Sequence, residues 1–190
     1  EGILSQDNVL YYDAFYPGKP PTQSDLEFIP LDLVQRVHSP SMVERVRRSP
    51  DFEGVMLSVS STVEAALRVR RGEIDNAFVF TGYGDHHAGI DSFGGGCYFN
   101  GAAIAIRELR DRFGAGRFAV IDTDAHHGDG TWELFSGDRD VLYTCLCSGG
   151  DIDENNNVNV HVPWHVTDEE YIGLIRDRFA PRATDLKPEI

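Results

Sequence analysis

The residues best suited to chemistry lie in one run, IDTDAHHGDG, at positions 121–130. Asp122, Asp124 and His126 are spaced two apart as a predicted strand ends, so their side chains tend toward one side, and Asp129 follows a turn later. Zn²⁺ accepts carboxylate and imidazole ligands, and a catalytic zinc site takes three protein ligands with one position open for water. Taken singly, Asp and Gly residues after a strand usually form a polar turn. Four ionisable groups so close to an apolar strand instead favour a metal site, with Asp124 and His126 as two of its ligands.

A second polar cluster, His86 and His87, lies in a Gly-rich loop at positions 82–96. A single histidine is usually structural or exposed, but an adjacent pair opposite a metal-type cluster offers general acid and base catalysis near neutral pH. Asp122 and Asp129 are surplus to a site with one metal, and a carboxylate bonded to an imidazole fixes its tautomer and raises its basicity. The residues therefore predict two histidines, tuned by carboxylates, beside the metal.

The sequence has three cysteines, Cys97, Cys145 and Cys147. A disulfide scaffold needs more cysteines than this, and an even number of them. This indicates a reducing compartment, and we expect the cytoplasm. The C-x-C spacing of Cys145 and Cys147 suggests a metal site. Without further cysteine partners, however, two such residues on a predicted strand more often belong to the core and the adjoining turn.

Strands and helices alternate along the sequence, and the polar clusters follow strands. Helix signals include Ser39 before Pro40, a capping box from Ser61 to Glu64, and Asn100 ahead of an apolar helical stripe. Strands are predicted at 9–12, 77–80, 118–121, 141–146 and 158–162, and helices at 31–37, 40–48, 61–72, 100–113, 132–135 and 168–179. This alternation predicts an α/β fold of three layers, a mostly parallel sheet with helices on both faces, in which loops at the strand ends build the site.

Length and charge narrow the class of protein. A length of 190 residues is typical of one domain, and we treat positions 1–190 as a single domain. A net charge of −14 argues against a nucleic-acid surface, which needs clustered Lys and Arg, and it suits cationic substrates, although acidity most often serves solubility. No apolar run approaches a membrane span and no signal segment opens the sequence, so we expect a soluble protein that is not exported, with its oligomeric state open.

Three motifs resemble the zinc-dependent histone deacetylases and acetylpolyamine amidohydrolases, in that family's order and spacing. They are GDHHAG at 84–89, GGGCYFNGAA at 94–103 and IDTDAHHGDG at 121–130. Weaker similarity extends the match over roughly residues 31–190. The resemblance implies the arginase-deacetylase fold, incomplete at its carboxyl-terminal end. It also implies hydrolysis of acetyl groups on lysine side chains or on small amines such as polyamines.

By position, the resemblance implies a role for each polar residue. Asp124 and His126 would be zinc ligands, His86 and His87 the catalytic pair with His87 as principal proton shuttle, and Asp122 and Asp129 their respective carboxylate partners. Similar proteins also bind a monovalent cation, which implies a K⁺ site at Asp122, Asp124, His126 and Phe135. The expected cofactors are one Zn²⁺ per site and a K⁺ ion.

Several positions depart from the family's pattern. Gly128 stands where arginases carry an Asp ligand for a second metal, which favours a single zinc. The substrate channel would be lined by Gly95, Gly96, Cys97 and Tyr98, and Gly96 replaces an aromatic wall residue, which predicts a wider channel and puts an acetyl-lysine preference in question. The family's third zinc ligand and its carbonyl-polarising Tyr have no counterpart in the sequence, so we expect this chain by itself to be inactive. The alternative is a non-enzymatic relative that keeps part of the site for binding.

Overall fold

A computed structural model describes residues 28–190, so the strand predicted at 9–12 lies outside the described part of the chain. The helices are α1 (Leu31–Val34), α2 (Pro40–Arg47), α3 (Phe52–Arg70), α4 (Gly101–Phe113), α5 (Asp129–Phe135), α6 (Asp168–Leu174) and α7 (Ala180–Leu186). The strands are β1 (Phe118–Asp122), β2 (Val141–Cys147), β3 (Ile152–Glu154) and β4 (Asn157–His161).

The strands of the described chain form one sheet in the order β1-β2-β4-β3. β1, β2 and β4 run parallel, and β3 forms an antiparallel pair with β4. The register pairs Asp122 with Cys145 and Cys145 with Asn159, so these residues form a row near the carboxyl ends of the parallel strands. The mostly parallel sheet predicted from the sequence is confirmed.

Strand β2 is buried along all seven of its residues, because helices cover both faces of the sheet. Tyr143 and Cys145 belong to a core that also contains residues of α2, α3 and α4. Leu142 and Leu146 belong to a second core, which is completed by residues of β4, α6 and α7. Successive strand side chains point to opposite faces, so one strand supplies both cores. The predicted three-layer arrangement is therefore confirmed.

Capping residues place α2 and α4, the helices that flank the candidate site. Ser39 Oγ accepts a hydrogen bond from Met42 N at 3.1 Å, at the start of α2. Asn100 Oδ1 accepts one from Ala103 N at 3.0 Å, at the start of α4, and Gly114 ends that helix with a φ of 61°. Both helices begin where the sequence predicts.

Helix α3 begins at Phe52, so the capping box predicted at Ser61 is wrong. Ser61 Oγ lies inside the helix and donates a hydrogen bond to Leu57 O at 2.8 Å. A long apolar stripe decides the helix start, because it extends well before Ser61 and is buried where α3 packs on α4. The stripe includes Val55, Val59, Val63 and Leu67. No helix in residues 28–190, α3 included, is both long and apolar enough to cross a membrane.

The strand predicted at 77–80 is also wrong, since these residues form no regular element. Phe78 and Phe80 are 81% and 91% exposed, although their apolar run is typical of a buried strand. Residues 189–190, and not residues 77–80, make backbone hydrogen bonds to the edge of β1. There Glu189 N donates to Arg117 O at 2.8 Å and Ala119 N donates to Ile190 O at 3.0 Å.

The helix predicted at 168–179 continues to Leu186 through a π-helical turn, Ile175–Phe179, which joins α6 to α7. Thr167 starts α6 with a capping box to Glu170. Pro181 lies in the first turn of α7, where its missing N–H and its ring would disturb a regular α-helical ladder. The wider π turn accommodates the proline without ending the helix.

Candidate active site

The loop that carries His86 and His87 is fixed by a buried imidazole, His38. Its Nδ1–H donates to Gly89 O at 2.6 Å, and its Nε2 accepts from Asn100 N at 3.0 Å. Burial lowers the pKa of His38 to about 4, so the ring stays neutral and keeps one donor and one acceptor. His38 therefore links the histidine loop to the start of α4.

The amino end of α5 lies against the same loop. Thr131 N donates to His86 O at 3.0 Å, and Thr131 Oγ1 accepts from Asn100 Nδ2 at 2.8 Å. A Cβ on Gly130 would lie 2.5 Å from the carbonyl carbon of Ala88 and 2.6 Å from its nitrogen. Only a glycine allows this approach of two backbone segments.

His86 and Asp122 form the more buried of two histidine–carboxylate pairs, with His86 Nδ1 2.9 Å from Asp122 Oδ2 and side chains 16% and 12% exposed. The hydrogen bond with Asp122 raises the pKa of His86, against the effect of burial. Burial acts to raise the pKa of Asp122, but hydrogen bonds from His86, Tyr143 and the Asp124 backbone together hold it below its usual range. An ionised Asp122 therefore keeps the proton on Nδ1, and Nε2, which lies 3.9 Å from Asp124 Oδ1, is left as the base.

His87 and Asp129 form the second pair, with His87 Nδ1 2.6 Å from Asp129 Oδ1. Here the carboxylate is 68% exposed and the imidazole 25%. The ring centroids of His86 and His87 lie 4.1 Å apart, and His87 is 6.2 Å from the ring of His126. The structure thus brings each histidine to the carboxylate expected for it, with both rings beside the proposed zinc ligands.

Asp124 and His126 lie together at the mouth of this cluster. Asp124 Oδ1 accepts a hydrogen bond from His126 N at 2.7 Å and lies 2.9 Å from His126 Nδ1, and the backbone hydrogen bond lowers the pKa of Asp124. Two ligands of one tetrahedral zinc ion lie roughly 3–3.5 Å apart, so the pair fits zinc in donor type and nearly in spacing. Within residues 28–190, no third His, Cys, Asp or Glu ligand atom joins these two in a close group.

Tyr143, on β2, holds Asp122 in place through a hydrogen bond. Its hydroxyl donates to Asp122 Oδ2 at 2.7 Å and lies 3.3 Å from Gly128 O. Burial, followed by the charge of Asp122, raises the pKa of Tyr143, so the hydroxyl remains a donor. A Cβ on Gly128 would lie 2.5 Å from Asp122 Oδ2 and closer still to the Tyr143 oxygen. This packing leaves no room for a side chain at position 128 that could bind a second metal. The geometry is therefore compatible with the single-metal site expected from the sequence.

The four predicted channel residues differ in their surroundings. Gly95 and Gly96 have φ angles of 58° and 80°, and a Cβ on Gly95 would lie 2.6 Å from His87 Cδ2. Cys97 is buried, and burial raises the pKa of its thiol. The Tyr98 hydroxyl donates to Asp51 Oδ2 at 2.6 Å, next to the start of α3. Gly95 is therefore the member of the set that lies directly against the His87 ring.

The residues predicted to bind K⁺ lie in two separate parts of the fold, the end of β1 and the end of α5. Asp122, Asp124 and His126 follow one another at the end of β1, whereas Phe135 is buried at the far end of α5. The Phe135 carbonyl accepts a hydrogen bond from Asp138 N at 3.0 Å. The K⁺ site stays a prediction.

Sequence reasoning missed three residues that support the site, namely His38, Tyr143 and Asp85. Asp85 Oδ2 accepts from Ala102 N at 3.2 Å at the start of α4, and burial raises its pKa to about 6. For His38 and Tyr143 the available signal was a polar group inside an apolar pattern, and for Asp85 it was a carboxylate directly before the histidine pair.

Known proteins resemble this chain in sequence and in fold. A family model described as a histone deacetylase domain matches residues 51–190. A probable deacetylase from Archaeoglobus fulgidus is 32% identical over 152 residues, which cover 73% of this chain and 42% of that protein. An acetylpolyamine amidohydrolase from Burkholderia pseudomallei is 46% identical over 89 residues, which cover 47% of this chain and 25% of that protein. The crystal structure of the HDA15 HD domain matches with a TM-score of 0.74 and 25% identity, over 86% of this chain and 56% of that chain. The chain spans less than half the length of these two curated relatives.

Proposed function

This chain belongs to the histone deacetylase family, and on that premise we propose that it forms part of a zinc-dependent amidohydrolase that removes acetyl groups from lysine side chains or from small amines such as polyamines. The observation that carries the proposal is the pair of histidine–carboxylate couples, His86 with Asp122 and His87 with Asp129, beside Asp124 and His126. These groups are suited to moving protons during hydrolysis of an amide.

Asp124 and His126 would hold the zinc ion. When bound, zinc supplies a Lewis acid that polarises the acetyl carbonyl and lowers the pKa of a water molecule. The described residues provide two ligands where a catalytic zinc site takes three. We therefore expect the 190-residue chain on its own to hold zinc weakly at this pair and to be inactive.

The two histidines would have different roles in proton transfer, because their carboxylate partners differ in exposure. His86 is paired with a carboxylate that is only 12% exposed, so its Nε2 serves as a base whose charge environment changes little. Asp129, the partner of His87, is 68% exposed, and this more open pair exchanges protons with water and with the leaving amine more readily. We assign the principal proton shuttle to His87.

The substrate would be a cation that carries an acetylated amine. A net charge of −14 attracts such molecules, and Gly96 borders open space, since an added Cβ there would have nothing within 4 Å. Both features suit a flexible polyamine at least as well as a lysine side chain held in a narrow aromatic tunnel. A K⁺ ion near the end of β1 would be a second, structural cofactor.

The test is hydrolysis of an acetylated polyamine and of an acetyl-lysine peptide by the purified full-length protein, together with its zinc content. We expect release of acetate, and we expect the active-site zinc to appear as the part of the zinc content that Asp124→Asn loses. His87→Ala should lower the turnover number by about 10²–10⁴-fold with little change in zinc content, because it removes a general acid–base group rather than a ligand. Asp124→Asn should lower both zinc content and activity.

His165→Ala is the matched control, because His165 is an exposed histidine outside the site. The activity of this variant should equal that of the wild type. A folded full-length protein that holds no zinc and releases no acetate from either substrate would contradict the proposal and support the non-enzymatic binding role. Equal activity of His87→Ala and wild type would overturn the assignment of the proton shuttle.

A further inference from the structure

Three side chains with metal-ligand atoms meet behind the candidate active site, where the proposed reaction uses none of them. They are His127, Cys145 and Cys147, and one ligand atom of each lies within 4.8 Å of the others. Both thiols are free and buried, and His127 is half-buried. Among residues 28–190 this is the one group of three His, Cys, Asp or Glu donors that meets so closely.

The parallel sheet brings these three side chains and Asn159 together from β2, β4 and the loop after β1. Cys145 and Cys147 are two apart on β2, so their side chains leave the same face of the sheet. His127 comes from the loop that follows β1, the neighbour of β2 on one side. Asn159 lies on β4, the neighbour on the other side, directly across from Cys145. Together with Asn159, the cluster therefore links all three parallel strands near their carboxyl ends.

Asn159 turns its amide oxygen toward this group. Its Oδ1 lies 2.9 Å from His127 Nδ1 and 3.0 Å from Cys147 Sγ. Its Nδ2 donates to Gly150 O at 2.6 Å, which fixes the orientation of the amide. A Cβ on Gly149 would lie 3.1 Å from Asn159 Nδ2 and 3.4 Å from Cys147 Sγ, so the loop after β2 closes tightly over the group. The donors thus occupy a small, covered space with one oxygen facing them.

We propose that His127, Cys145 and Cys147 bind a thiophilic divalent cation, Zn²⁺, at a structural site separate from Asp124 and His126. Two thiolates and one imidazole are ligands that zinc prefers, and Asn159 Oδ1 is positioned to complete a four-coordinate shell. At usual zinc bond lengths of about 2.0–2.3 Å the ligand atoms lie within about 4 Å of one another, so the group needs only a small contraction. Each thiol releases its proton to solvent on binding, and the two thiolate charges then balance the charge of the ion.

The contrasting interpretation is that the two cysteines only fill the core. A core filled for packing alone would surround the thiols with apolar groups, whereas here an imidazole and an oriented amide face them. A bound ion would give these polar groups and the thiols a common partner, and it would join β1, β2 and β4 next to the proposed catalytic residues.

Cobalt(II) tests the site without any measurement of activity. The purified protein is reduced, freed of metal with a chelator and titrated with Co²⁺ in the absence of oxygen, while thiolate-to-cobalt charge-transfer absorption is recorded in the near ultraviolet. We expect one equivalent of Co²⁺ to produce this absorption and Zn²⁺ to remove it. Cys147→Ala should abolish the band, and His127→Gln, which leaves both thiols and the core intact, should weaken cobalt binding by more than about tenfold.

Two variants distinguish this site from cobalt binding elsewhere in the chain. Cys97→Ala removes the third buried thiol and should leave the band unchanged. Asp124→Asn removes a proposed catalytic zinc ligand and should also leave it unchanged, so failure of this site and failure of the proposed function give different results. A folded wild-type protein that binds Co²⁺ without thiolate absorption would overturn the proposal, as would a band that is lost with Cys97→Ala and kept with Cys147→Ala.

Discussion

His38 is neutral in the folded chain because burial disfavours its charged form, and the neutral ring serves as a donor to Gly89 O and an acceptor from Asn100 N. A proton added to Nε2 would break the second bond and place a charge in a position that is only 1% exposed. Tyr143 plays a comparable part at Asp122, where a buried hydroxyl stabilises the ionised carboxylate. At the scale of single residues, buried polar groups fix the protonation states on which the candidate site depends.

His38 makes the stability of the fold depend on pH. Its pKa falls from 6.5 in the unfolded chain to about 4 in the folded one, so the unfolded state binds more protons between these values. The contribution of His38 is fully present above pH 6.5 and is lost as the pH falls toward 4, a change on the order of 3 kcal/mol. Urea unfolding across this range should show a shallower loss of stability in His38→Gln than in the wild type.

His165→Gln provides the comparison for that experiment, since an exposed histidine should leave the pH dependence of unfolding as it is in the wild type. If His38→Gln and the wild type lose stability in parallel between pH 6.5 and 4, then the neutral state of His38 does not contribute as described.

At the scale of elements, the site depends on how closely α5 approaches the histidine loop. Thr131 N is bonded to His86 O, and Gly130 removes the one Cβ that would collide with backbone atoms of Ala88. The same geometry aims Asp129, in the first turn of α5, at His87. Short contacts between two backbones therefore set the distance between His87, a proposed catalytic residue, and Asp129.

Gly130→Ala should separate α5 from the loop. Because the new methyl group would meet backbone atoms rather than a movable side chain, we expect a loss of about 1–3 kcal/mol in the free energy of unfolding and a loss of deacetylase activity in the full-length protein. Gly173→Ala is the matched control, since Gly173 lies in α6, where an added Cβ would have nothing within 4 Å, and should gain about 0.5–1 kcal/mol from the helix preference of alanine. Unchanged stability and activity of Gly130→Ala would show that the contact is not limiting.

At the scale of the whole molecule, the described chain is one sheet between two cores. Ile104 of α4 is buried on one side, and Leu146 of β2 is buried on the other. Because alternate residues of β2 enter each core, neither core can be lost without disturbing the strand that they share. We therefore expect residues 28–190 to unfold as one cooperative unit.

Ile104→Ala and Leu146→Ala test whether both layers unfold together. Each should cost about 2–5 kcal/mol in the free energy of unfolding, and because the sheet separates the two sites, the double variant should equal their sum within about 0.5 kcal/mol. Ile172, which is 53% exposed, is the control, and its replacement by alanine should change stability by less than about 0.5 kcal/mol. Denaturant unfolding of the wild type in two separate steps would contradict a single cooperative unit.

Much of the site was determined by the sequence alone, because the relevant information is local. Asp122, Asp124 and His126 lie within five positions of one another where an apolar strand ends, so the sequence alone keeps them close in space. Caps at Ser39 and Asn100 act within one helical turn, and the structure has both. The apolar runs that became β1 and β2 are likewise identifiable from composition and length.

Only the tertiary structure decided the features that depend on contacts distant in sequence. The histidine–carboxylate pairs join residues 36 and 42 positions apart, and Phe78 and Phe80 are exposed although their local pattern predicts a buried strand. The C-x-C spacing of Cys145 and Cys147 predicted core residues more readily than a metal site. Three parallel strands in register were needed to bring His127 and Asn159 to the two thiols, because strand order and register are set by packing across the sheet and not by any local pattern.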